Sequence, residues 1–451
     1  MTGTGGESGG NKAPNGGTGE TDVTQDLTAA AVEVIPPEIV AQSLGQYMRA
    51  WLARVRNGDA GVLPVVAALV AVTIVFQIVS PNHIYLSAGN LVNLFDQSAV
   101  FIVLGMGEIF VLLLGEIDLA IGYVAAIGGI LAAEFVQPDI NWPWWLAIIV
   151  ALLICAGIGA IHGIIITQLR LPSFVVTLAG NLFWFGVMII ILGPAGGVSV
   201  TSTVQANQRA LSGIVYTYIN PFIGWIGLVV IVALMGGFMW LRDSSRRRSG
   251  LVAPPVGLTL AKIAFIAVAG IAVVAICNIN RGQYLPIVGV PWVVPLVLVV
   301  LGISMVLLEQ TQFGRHMYAV GGNPEAARRA GVGVTAIRTW AFVLCSLTAG
   351  IAGIIYASQL GGITTNINGG QYVLYAVAAA VIGGTSLMGG RGRAVHGLLG
   401  GLVIGAIYNG LYLLGLQIQW QLIATGLVLI AAVTIDSLSR RGATSGSMAR
   451  V

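Results

Sequence analysis

WWLAIIVALLICAGIGAIHGIIITQL, residues 144–169, contains no aspartate, glutamate, lysine or arginine. A helix needs about 20 apolar residues to cross a hydrocarbon core about 30 Å thick. Backbone groups inside lipid must find their hydrogen-bond partners within their own segment. An apolar run of this length therefore predicts a membrane-spanning helix.

Similar runs recur along the 451-residue chain, which is 57% hydrophobic and 8% charged and has a mean hydropathy of +0.91. We expect an all-α fold, a polytopic transmembrane helical bundle of about 10–12 spans. The segments around residues 116 and 388 could instead be breaks within the membrane. The predicted spans are 61–80, 91–114, 116–135, 144–169, 173–194, 222–241, 258–277, 289–309, 338–358, 371–388, 396–416 and 419–437.

The basic residues predict the orientation of the chain. With a cytoplasmic N-terminus and one crossing per span, the outer side receives only Arg209 and Arg281. This asymmetry follows the positive-inside rule and places both termini in the cytoplasm, the alternative being chance clustering in short loops. The predicted cytoplasmic set is Arg49, Arg54, Arg56, Arg170, Arg242, Arg246, Arg247, Arg248, Lys262, Arg315, Arg328, Arg329, Arg338, Arg391, Arg393, Arg440 and Arg441.

Composition divides the chain into three parts. Residues 1–45 are rich in Gly, Ser and Thr, so we expect a disordered, Gly-rich cytoplasmic tail. This tail lacks a basic segment followed directly by an apolar one and does not resemble a signal peptide. Residues 46–438 form the predicted transmembrane domain, and residues 439–451 form a short cytoplasmic C-terminal tail.

Motifs of soluble enzymes are absent from the sequence. Cys155, Cys277 and Cys345 are scattered in apolar runs without metal-ligand or redox spacing. No HExxH, CxxC or nucleophile elbow occurs, and neither Lys12 nor Lys262 follows the glycines of a phosphate-binding loop. We predict no catalytic residue, metal site, cofactor or nucleic-acid partner. A transporter of this kind that used ATP would need a separate subunit to hydrolyse it.

Polar residues interrupt the apolar runs at two places. GEIDLAIG, residues 115–122, carries two acids between glycines, which favours a helix break near a translocation path. GGTSLMGGRGRAVHG, residues 383–397, resembles it as a weak internal repeat. The alternatives are a short loop of solvated acids and a tight glycine turn. The candidate residues of the path are Glu116, Asp118, Asn181, Thr385, Ser386 and Asn409.

Two spans carry glycines at spacings that allow helix backbones to approach each other closely in lipid. We predict a packing role for these residues. They are Gly157, Gly159, Gly163, Gly401, Gly405 and Gly410.

FGRHMYAVGGNPEAARRAGV, residues 313–332, is a compact polar segment in this apolar chain. Asn323 is placed to cap a short helix, with Pro324 at its first position and Glu325 near its positive end. Gly331 is placed to end the helix. Small alanines on one side would let this helix seat in a groove of a partner protein, the alternative being a rigid connector.

This segment resembles the cytoplasmic signature of sugar-importer permeases of the ATP-binding-cassette (ABC) class, in the ribose and xylose branch. The resemblance extends to GEIDLAIG, LPSFVVTLAGNLF (171–183), VIGGTSLMGGRG (381–392) and WQLIATGLVLIAAVTIDS (420–437). It covers the chain from about residue 85 to residue 438.

Two features resemble the xylose type within that branch: Glu116, and the basic RDSSRRRSG followed by an extra apolar span. Two features depart from the family pattern. The Gly-rich tail has no counterpart, and RGRAVHG is more basic than usual, which leaves the roles of Arg391, Arg393 and His396 open.

The resemblance implies a multi-pass subunit of a monosaccharide importer in the cell membrane, with the pentose D-xylose as the expected cargo. Ribose, galactose, arabinose or several sugars are the alternatives. The implied partners are an ABC ATPase subunit on the cytoplasmic face, an extracytoplasmic sugar-binding protein and a second permease subunit, expected to form a homodimer. The residues that fall on the segment coupled to the ATPase are Gly321, Gly322, Asn323, Glu325, Ala326, Ala327 and Gly331.

Two other classes of function compete with this interpretation. A cation-coupled secondary transporter could use Glu116 and Asp118 as ion sites. An intramembrane enzyme could use the same pair as an acid/base dyad, but no nucleophile or metal-ligand set supports it.

Overall fold

The computed structural model describes residue 3, residues 44–56, 61–201, 205–251, 253–282 and 284–417, and scattered residues between 419 and 434. These residues form α-helices joined by short loops and two two-stranded sheets, which confirms the predicted all-α helical bundle. The helices are α1 (Leu44–Arg56), α2 (Leu63–Val79), α3 (Ala88–Leu112), α4 (Ile121–Phe135), α5 (Trp144–Gln168), α6 (Ser173–Leu192), α7 (Ala206–Tyr216), α8 (Pro221–Arg248), α9 (Val256–Asn278), α10 (Val293–Glu309), α11 (Gln312–Gly322), α12 (Pro324–Arg329), α13 (Val334–Leu360), α14 (Gly369–Ile382) and α15 (Ala394–Leu413).

The strands are short and antiparallel. β1 (Gly197–Ser199) pairs with β4 (Gly362–Thr364), and β2 (Tyr218–Ile219) pairs with β3 (Val290–Pro291).

Seven of the described helices are long and apolar enough to cross a bilayer. The pair α10–α11, bent by 68°, adds an eighth when it is counted as one span, and α2, α4 and α14 are apolar but shorter. The predicted twelfth span, 419–437, and the predicted tails, 1–45 and 439–451, lie for the most part outside the described residues.

Helices α4 and α14 are shorter than the spans predicted at 116–135 and 371–388. At 1.5 Å per residue they measure about 22 and 21 Å, less than the bilayer core of about 30 Å. The missing length lies in break 1 (residues 113–120) and break 2 (residues 383–393), where the chain leaves the helical conformation. Both breaks contain glycines with positive φ, including Gly115 at +74° and Gly389 at +80°, which other residues adopt at a steric cost.

Helices α3 and α13 form the centre of the bundle. Their most apolar windows are 89% and 78% buried, whereas that of α8 is 6% buried. α3 packs against α13, α14 and α15, and α13 also packs against α4 and α5. The exposed apolar side chains of the outer helices therefore have the composition expected for contact with lipid.

Glycines bring these helices close together, as predicted. An added Cβ would overlap atoms of a neighbouring helix at Gly159, Gly163, Gly401, Gly405 and Gly410. Gly157 differs, because no atom of the described residues lies within 4 Å of such a Cβ. Its predicted packing role is wrong within this chain.

The chain divides into two compact units. One contains Met1–Arg54 and Leu234–Phe265, and the other contains Val55–Ala233 and Ile266–Val451. In the first unit, the buried carboxylate of Asp243 accepts hydrogen bonds from Arg242 (3.2 Å) and from Thr259 (2.9 Å). Every candidate site residue belongs to the second unit.

The second unit has two ends, separated by the length of α13, about 40 Å. The end that carries α11, α12 and both breaks is called the α12 end, and the end that carries β1, β4 and α7 is called the β end. The segment 195–221, predicted as one long loop, contains β1, α7 and β2. Helix α7 forms there because its apolar side, with Leu211 and Val215 buried, packs against α13.

Candidate functional site

Helix α12 is a short exposed helix at the α12 end. The side chain of Asn323 caps it by accepting hydrogen bonds from the backbone N–H groups of Glu325 (3.1 Å) and Ala326 (3.0 Å). Gly331, with φ +85°, ends the turn that follows it. The predicted capped helix is therefore confirmed, and its exposed residues form a polar surface at this end.

One predicted feature of this surface is wrong. Ala326 and Ala330 are exposed, but Ala327 is 5% exposed and belongs to the apolar core. A six-residue helix that lies on the body must turn one side inward, and Ala327 is on that side. Its methyl group anchors α12 to the bundle and is not available to a partner.

The exposed side of α12 is held by ion pairs. Glu325 accepts from Arg328 at 3.3 Å and from Arg329 at 3.3 Å, one helical turn away. All three side chains are more than half exposed, so each pair contributes only a few tenths of a kcal/mol.

Break 1, break 2 and the end of α11 meet at one backbone junction. The N–H of Gly390 donates to the carbonyl of Leu113 at 2.8 Å. An added Cβ at Gly321 would overlap that same carbonyl oxygen and approach the Gly390 nitrogen to 2.8 Å. A Cβ at Gly389 would lie 2.9 Å from both the Gly115 nitrogen and the Gly321 oxygen. The junction therefore admits only glycine at Gly321 and Gly389. A Cβ added at Gly322 would meet no atom of the described residues within 4 Å.

Break 1 is tied to α13 by charge. The guanidinium of Arg338, at the start of α13, donates to the carboxylate of Glu116. Glu116 is 8% exposed, so the alternative of a solvated acid in an open loop disagrees with the structure. The pair joins residues 222 positions apart and anchors the break to the central helix.

Asp118 is fully buried in the same break. Its Oδ1 accepts from the N–H of Ala120 at 2.9 Å, and its own N–H donates to Oε1 of Glu108 at 3.1 Å. Both carboxylates therefore lie at the N-terminal end of α4, where the helix dipole favours negative charge. Oδ2 of Asp118 and Oε2 of Glu108 have no hydrogen-bond partner among the described residues.

Backbone carbonyls of break 1 are satisfied by α6. Asn181 Nδ2 donates to the carbonyl of Leu119 at 2.7 Å, and Thr177 Oγ1 donates to that of Ile117 at 3.3 Å. These carbonyls have no intrahelical partner because the helix is interrupted there. The predicted site residue Asn181 thus belongs to the break as a brace.

Break 2 is braced in the same way. Thr385 Oγ1 lies 3.2 Å from Nδ1 of His396, and the N–H of Ser386 donates to the carbonyl of Arg391 at 2.8 Å. Thr385 and Ser386 are 1% and 2% exposed, so the polar pair is internal. The structure assigns contacts to residues whose roles the sequence left open, including an ion pair of Arg393 with Glu309 at 3.3 Å.

Asn409 does not join the other candidates. It lies on α15 about 22 Å from the start of that helix and exchanges amide hydrogen bonds with Asn90 at 2.9 and 3.0 Å. Its Nδ2 also donates to Gln97 at 3.1 Å. This buried amide cluster joins α15 to α3 and has the character of a packing contact.

The sequence analysis did not predict that three residues, His162, Trp184 and Cys345, lie near break 1. Nε2 of His162 on α5 accepts from the indole N–H of Trp184 at 2.9 Å, and His162 is 3% exposed. The buried thiol of Cys345 lies beside Asp118. A histidine in the middle of an apolar span was the available signal, because an intramembrane ionisable residue needs a partner.

The contacts of this site join helices to one another. Among the described residues, no cluster of His, Cys, Asp and Glu could hold a metal ion. What the geometry offers is a surface helix fixed through α11 to two helix breaks.

Comparison with known proteins identifies the chain's relatives. Residues 90–433 match the family model described as "Branched-chain amino acid transport system / permease component". The chain is 34% identical over 382 residues to the xylose transport system permease protein of Escherichia coli K12, covering 84% of this chain and 92% of the relative. The corresponding protein of Haemophilus influenzae is 32% identical over 377 residues, covering 82% and 95%. The ribose import permease protein of Escherichia coli K12 is 29% identical over 391 residues, covering 87% and 96%. No solved structure matches the chain.

Proposed function

The chain belongs to the family of branched-chain amino acid transport system permease components and is a sugar permease of the ABC class, a multi-pass protein of the cell membrane; from this premise we propose that it imports the pentose D-xylose. Relatives that transport xylose cover most of the chain. Glu116 and the basic run before α9 support the same cargo. Ribose, galactose, arabinose or a mixture of sugars are the alternative cargoes.

The junction of α11 with the two breaks carries the proposed mechanism. A separate ABC ATPase subunit binds the exposed side of α12, formed by Asn323, Glu325 and Ala326. Closure of the ATPase displaces α12, and Gly321 transmits the displacement to both breaks through backbone contact. Because α4 begins at break 1 and α14 ends at break 2, both short helices tilt and access alternates. In this proposal Gly322 and Gly331 allow the chain to enter and leave the coupling segment, and Ala327 anchors it.

The distribution of charge supports an orientation. Arg315, Arg328, Arg338 and Arg393 lie at the α12 end, and Arg209 lies at the β end. From the positive-inside rule we infer that the α12 end faces the cytoplasm, and we propose the same side for both termini. The β end faces outward and receives sugar from an extracytoplasmic binding protein, and a second copy of the chain completes the permease.

Five of the candidate path residues form the cytoplasmic end of the proposed path. Glu116, Asp118 and Asn181 fix break 1, and Thr385 and Ser386 fix break 2. Their side chains are engaged with backbone groups, with Arg338 and with His396, so their proposed role is to hold the breaks closed until α12 moves.

Uptake by reconstituted vesicles tests this function. Proteoliposomes that contain the full-length chain and its ATPase, with the binding protein added outside, should take up radiolabelled D-xylose only when ATP is enclosed in the vesicles. Glu325→Arg should abolish uptake and leave membrane insertion unchanged, because it places like charges beside Arg328 and Arg329. Full uptake by this variant, or uptake by the chain without an ATPase, would contradict the proposal.

The unpartnered carboxylate oxygens of Glu108 and Asp118 favour one second candidate, a cation-coupled secondary transporter. The two functions differ in their energy source. A proton ionophore should leave uptake unchanged if ATP drives it and should abolish uptake if a proton gradient does. Glu108→Gln with Asp118→Asn would then remove the coupling ion's site.

A further inference from the structure

The connection between α8 and α9 carries a dense set of cations. The run RDSSRRRSG, residues 242–250, ends α8, and Lys262 follows on α9. Residues 240–262, called the basic turn below, contain five Lys or Arg residues and a single acid, Asp243, which leaves a net charge of +4. The whole basic turn lies in the first compact unit.

Two of the five cations fix the turn itself. Arg247 donates to the carbonyl of Pro254 at 2.9 Å and to Oγ1 of Thr259 at 3.1 Å. Thr259 in turn donates to the buried carboxylate of Asp243 at 2.9 Å, and Arg242 pairs with the other oxygen of that carboxylate at 3.2 Å. The only acid of the turn is therefore neutralised from within.

The end of α8 is capped by backbone groups. The N–H of Gly250, whose φ is +70°, donates to the carbonyl of Arg247 at 3.2 Å, and the N–H of Leu251 donates to the carbonyl of Arg246 at 3.0 Å. These two bonds are those of the Schellman motif, which satisfies the last carbonyls of a helix. The arginine side chains are thus not needed to cap the helix.

Arg246, Arg248 and Lys262 remain available to a partner. All three are exposed, and no hydrogen bond or ion pair joins their side chains to another described residue. Guanidinium groups bind phosphate oxygens through parallel N–H···O bonds. The hydroxyl groups of Ser245 and Ser249, exposed on the same segment, can donate to the remaining oxygens. This chemistry fits a phosphate group.

Exposed apolar side chains adjoin these cations. Leu241 is 70% exposed, Leu251 60% and Leu260 51%. The most apolar windows of α8 and α9 are only 6% and 11% buried, a composition suited to contact with lipid. Trp240, whose ring lies 6.0 Å from the guanidinium of Arg247, is of the residue type that is enriched at membrane interfaces. The basic turn therefore combines a headgroup-level cluster of cations with a surface for hydrocarbon.

A second copy of the chain fits this surface less well. A two-fold interface places the same patch of both subunits face to face, so the cations of the basic turn would meet and repel each other. The segment 1–45 is a rival by charge, since it contains six acids and one lysine. A phospholipid matches both properties of the surface, because it carries a phosphate and acyl chains in one molecule.

We propose that the basic turn binds an anionic phospholipid of the cytoplasmic leaflet. Arg246, Arg248 and Lys262 hold the headgroup phosphate, and the acyl chains lie along Leu241 and Leu260. The leaflet follows from the positive-inside rule, and basic clusters directly after a membrane span are typical of sites for anionic lipids. The proposal does not depend on the cargo that the chain carries.

Native mass spectrometry of the delipidated full-length chain tests the selectivity. Dioleoyl-phosphatidylglycerol should bind more tightly than dioleoyl-phosphatidylcholine, which has the same acyl chains. Arg246→Gln, Arg248→Gln and Lys262→Gln should each weaken phosphatidylglycerol binding about fivefold and leave phosphatidylcholine binding unchanged. Equal binding of the two lipids to the parent chain would overturn the proposal, and the arginines would then only orient the chain.

The matched control is the double variant Arg209→Gln with Arg315→Gln. It removes two exposed cations that lie outside the basic turn and should bind phosphatidylglycerol like the parent. The substituted side chains of the basic turn make no described contacts, so the thermal unfolding midpoints of all variants should equal that of the parent. Equal losses of binding in the control and in the turn variants would show that only overall charge matters.

Photo-crosslinking in phosphatidylcholine vesicles locates the site. A phosphatidylglycerol with a diazirine at the top of its acyl chain should label Leu241, Leu251 or Leu260 of the full-length chain, and the turn variants should lose this label. Glycerol 1-phosphate, which lacks acyl chains, should not displace the lipid at the same concentration. Displacement would identify a site for free phosphate compounds and overturn the assignment to a lipid.

The rival occupants have distinct outcomes. If the parent binds little phosphatidylglycerol, but a full-length variant with the six acids of segment 1–45 changed to amides binds it, that segment occupies the turn. A disulfide between two copies of a Leu251→Cys variant in vesicles would assign the surface to a second copy. The native cysteines of the described residues are buried, so the parent chain provides the background. Either outcome would overturn the lipid site.

Discussion

Adding one methyl group at Gly321 should separate α11 from the two breaks. Gly321→Ala introduces a Cβ that overlaps the Leu113 carbonyl oxygen and lies 2.8 Å from the Gly390 nitrogen. Real Cβ atoms essentially never approach other atoms to less than 3.0 Å, and both neighbours are backbone. The end of α11 must therefore retreat, by on the order of 1 Å.

The magnitude follows from two opposing effects. Overpacking against a rigid backbone costs about 1–3 kcal/mol, and alanine in a helix regains about 0.5–1 kcal/mol over glycine. For Gly321→Ala we expect the free energy of unfolding to fall by about 1–2 kcal/mol. Gly322→Ala has open space around it and should be neutral or slightly stabilising. Adjacent glycines should thus respond with opposite sign.

Two measurements on purified protein check this prediction. Thermal unfolding in detergent should show a lower midpoint for Gly321→Ala and an unchanged or higher one for Gly322→Ala. Reconstituted with its ATPase, Gly321→Ala should hydrolyse ATP with little sugar uptake per ATP. Equal behaviour of the two variants in both assays would refute the backbone junction as the coupling element.

Three further predictions concern stability. Asn323→Ala removes a helix cap and should lower the free energy of unfolding by about 1 kcal/mol. Proteolysis at α12 should become faster, whereas Asn323→Ser should largely restore protection. Glu116→Gln should lower the free energy of unfolding by about 1–3 kcal/mol, because it leaves Arg338 without its anion. A double-mutant cycle with Arg338→Gln that gives no coupling energy would show that the ion pair is not formed. Gly405→Val should lower the unfolding midpoint by overpacking against α3, while Gly157→Val, on an open face, should change it little, and equal shifts would disprove the packing difference.

Local patterns predicted much of this fold. Apolar run length located most helices, and the Asn-Pro-Glu order fixed the start of α12, because capping depends only on neighbouring residues. The glycines in GEIDLAIG and GGTSLMGG likewise predicted both breaks. These features are encoded within one or two turns of chain.

Local sequence patterns did not predict the contacts between segments that are distant in the chain. The partner of Glu116 lies 222 positions away, and nothing in either local sequence specifies the pairing. Ala327 turns inward because of the surface beneath α12, which its own helix does not encode. Asn409 shares polar chemistry with the other candidates but sits at a different height in the bundle.

The short lengths of α4 and α14 have a consequence for insulation. Each falls about 8 Å short of the hydrocarbon thickness. Most of their residues are buried among other helices, so the non-helical chain of the two breaks makes up the difference inside protein and away from lipid. Any ion that crossed the membrane here would gain or lose about 2.3 kcal/mol per 100 mV of membrane potential. The insulation of the membrane at these two places therefore depends on how closely α4 and α14 pack against their neighbours.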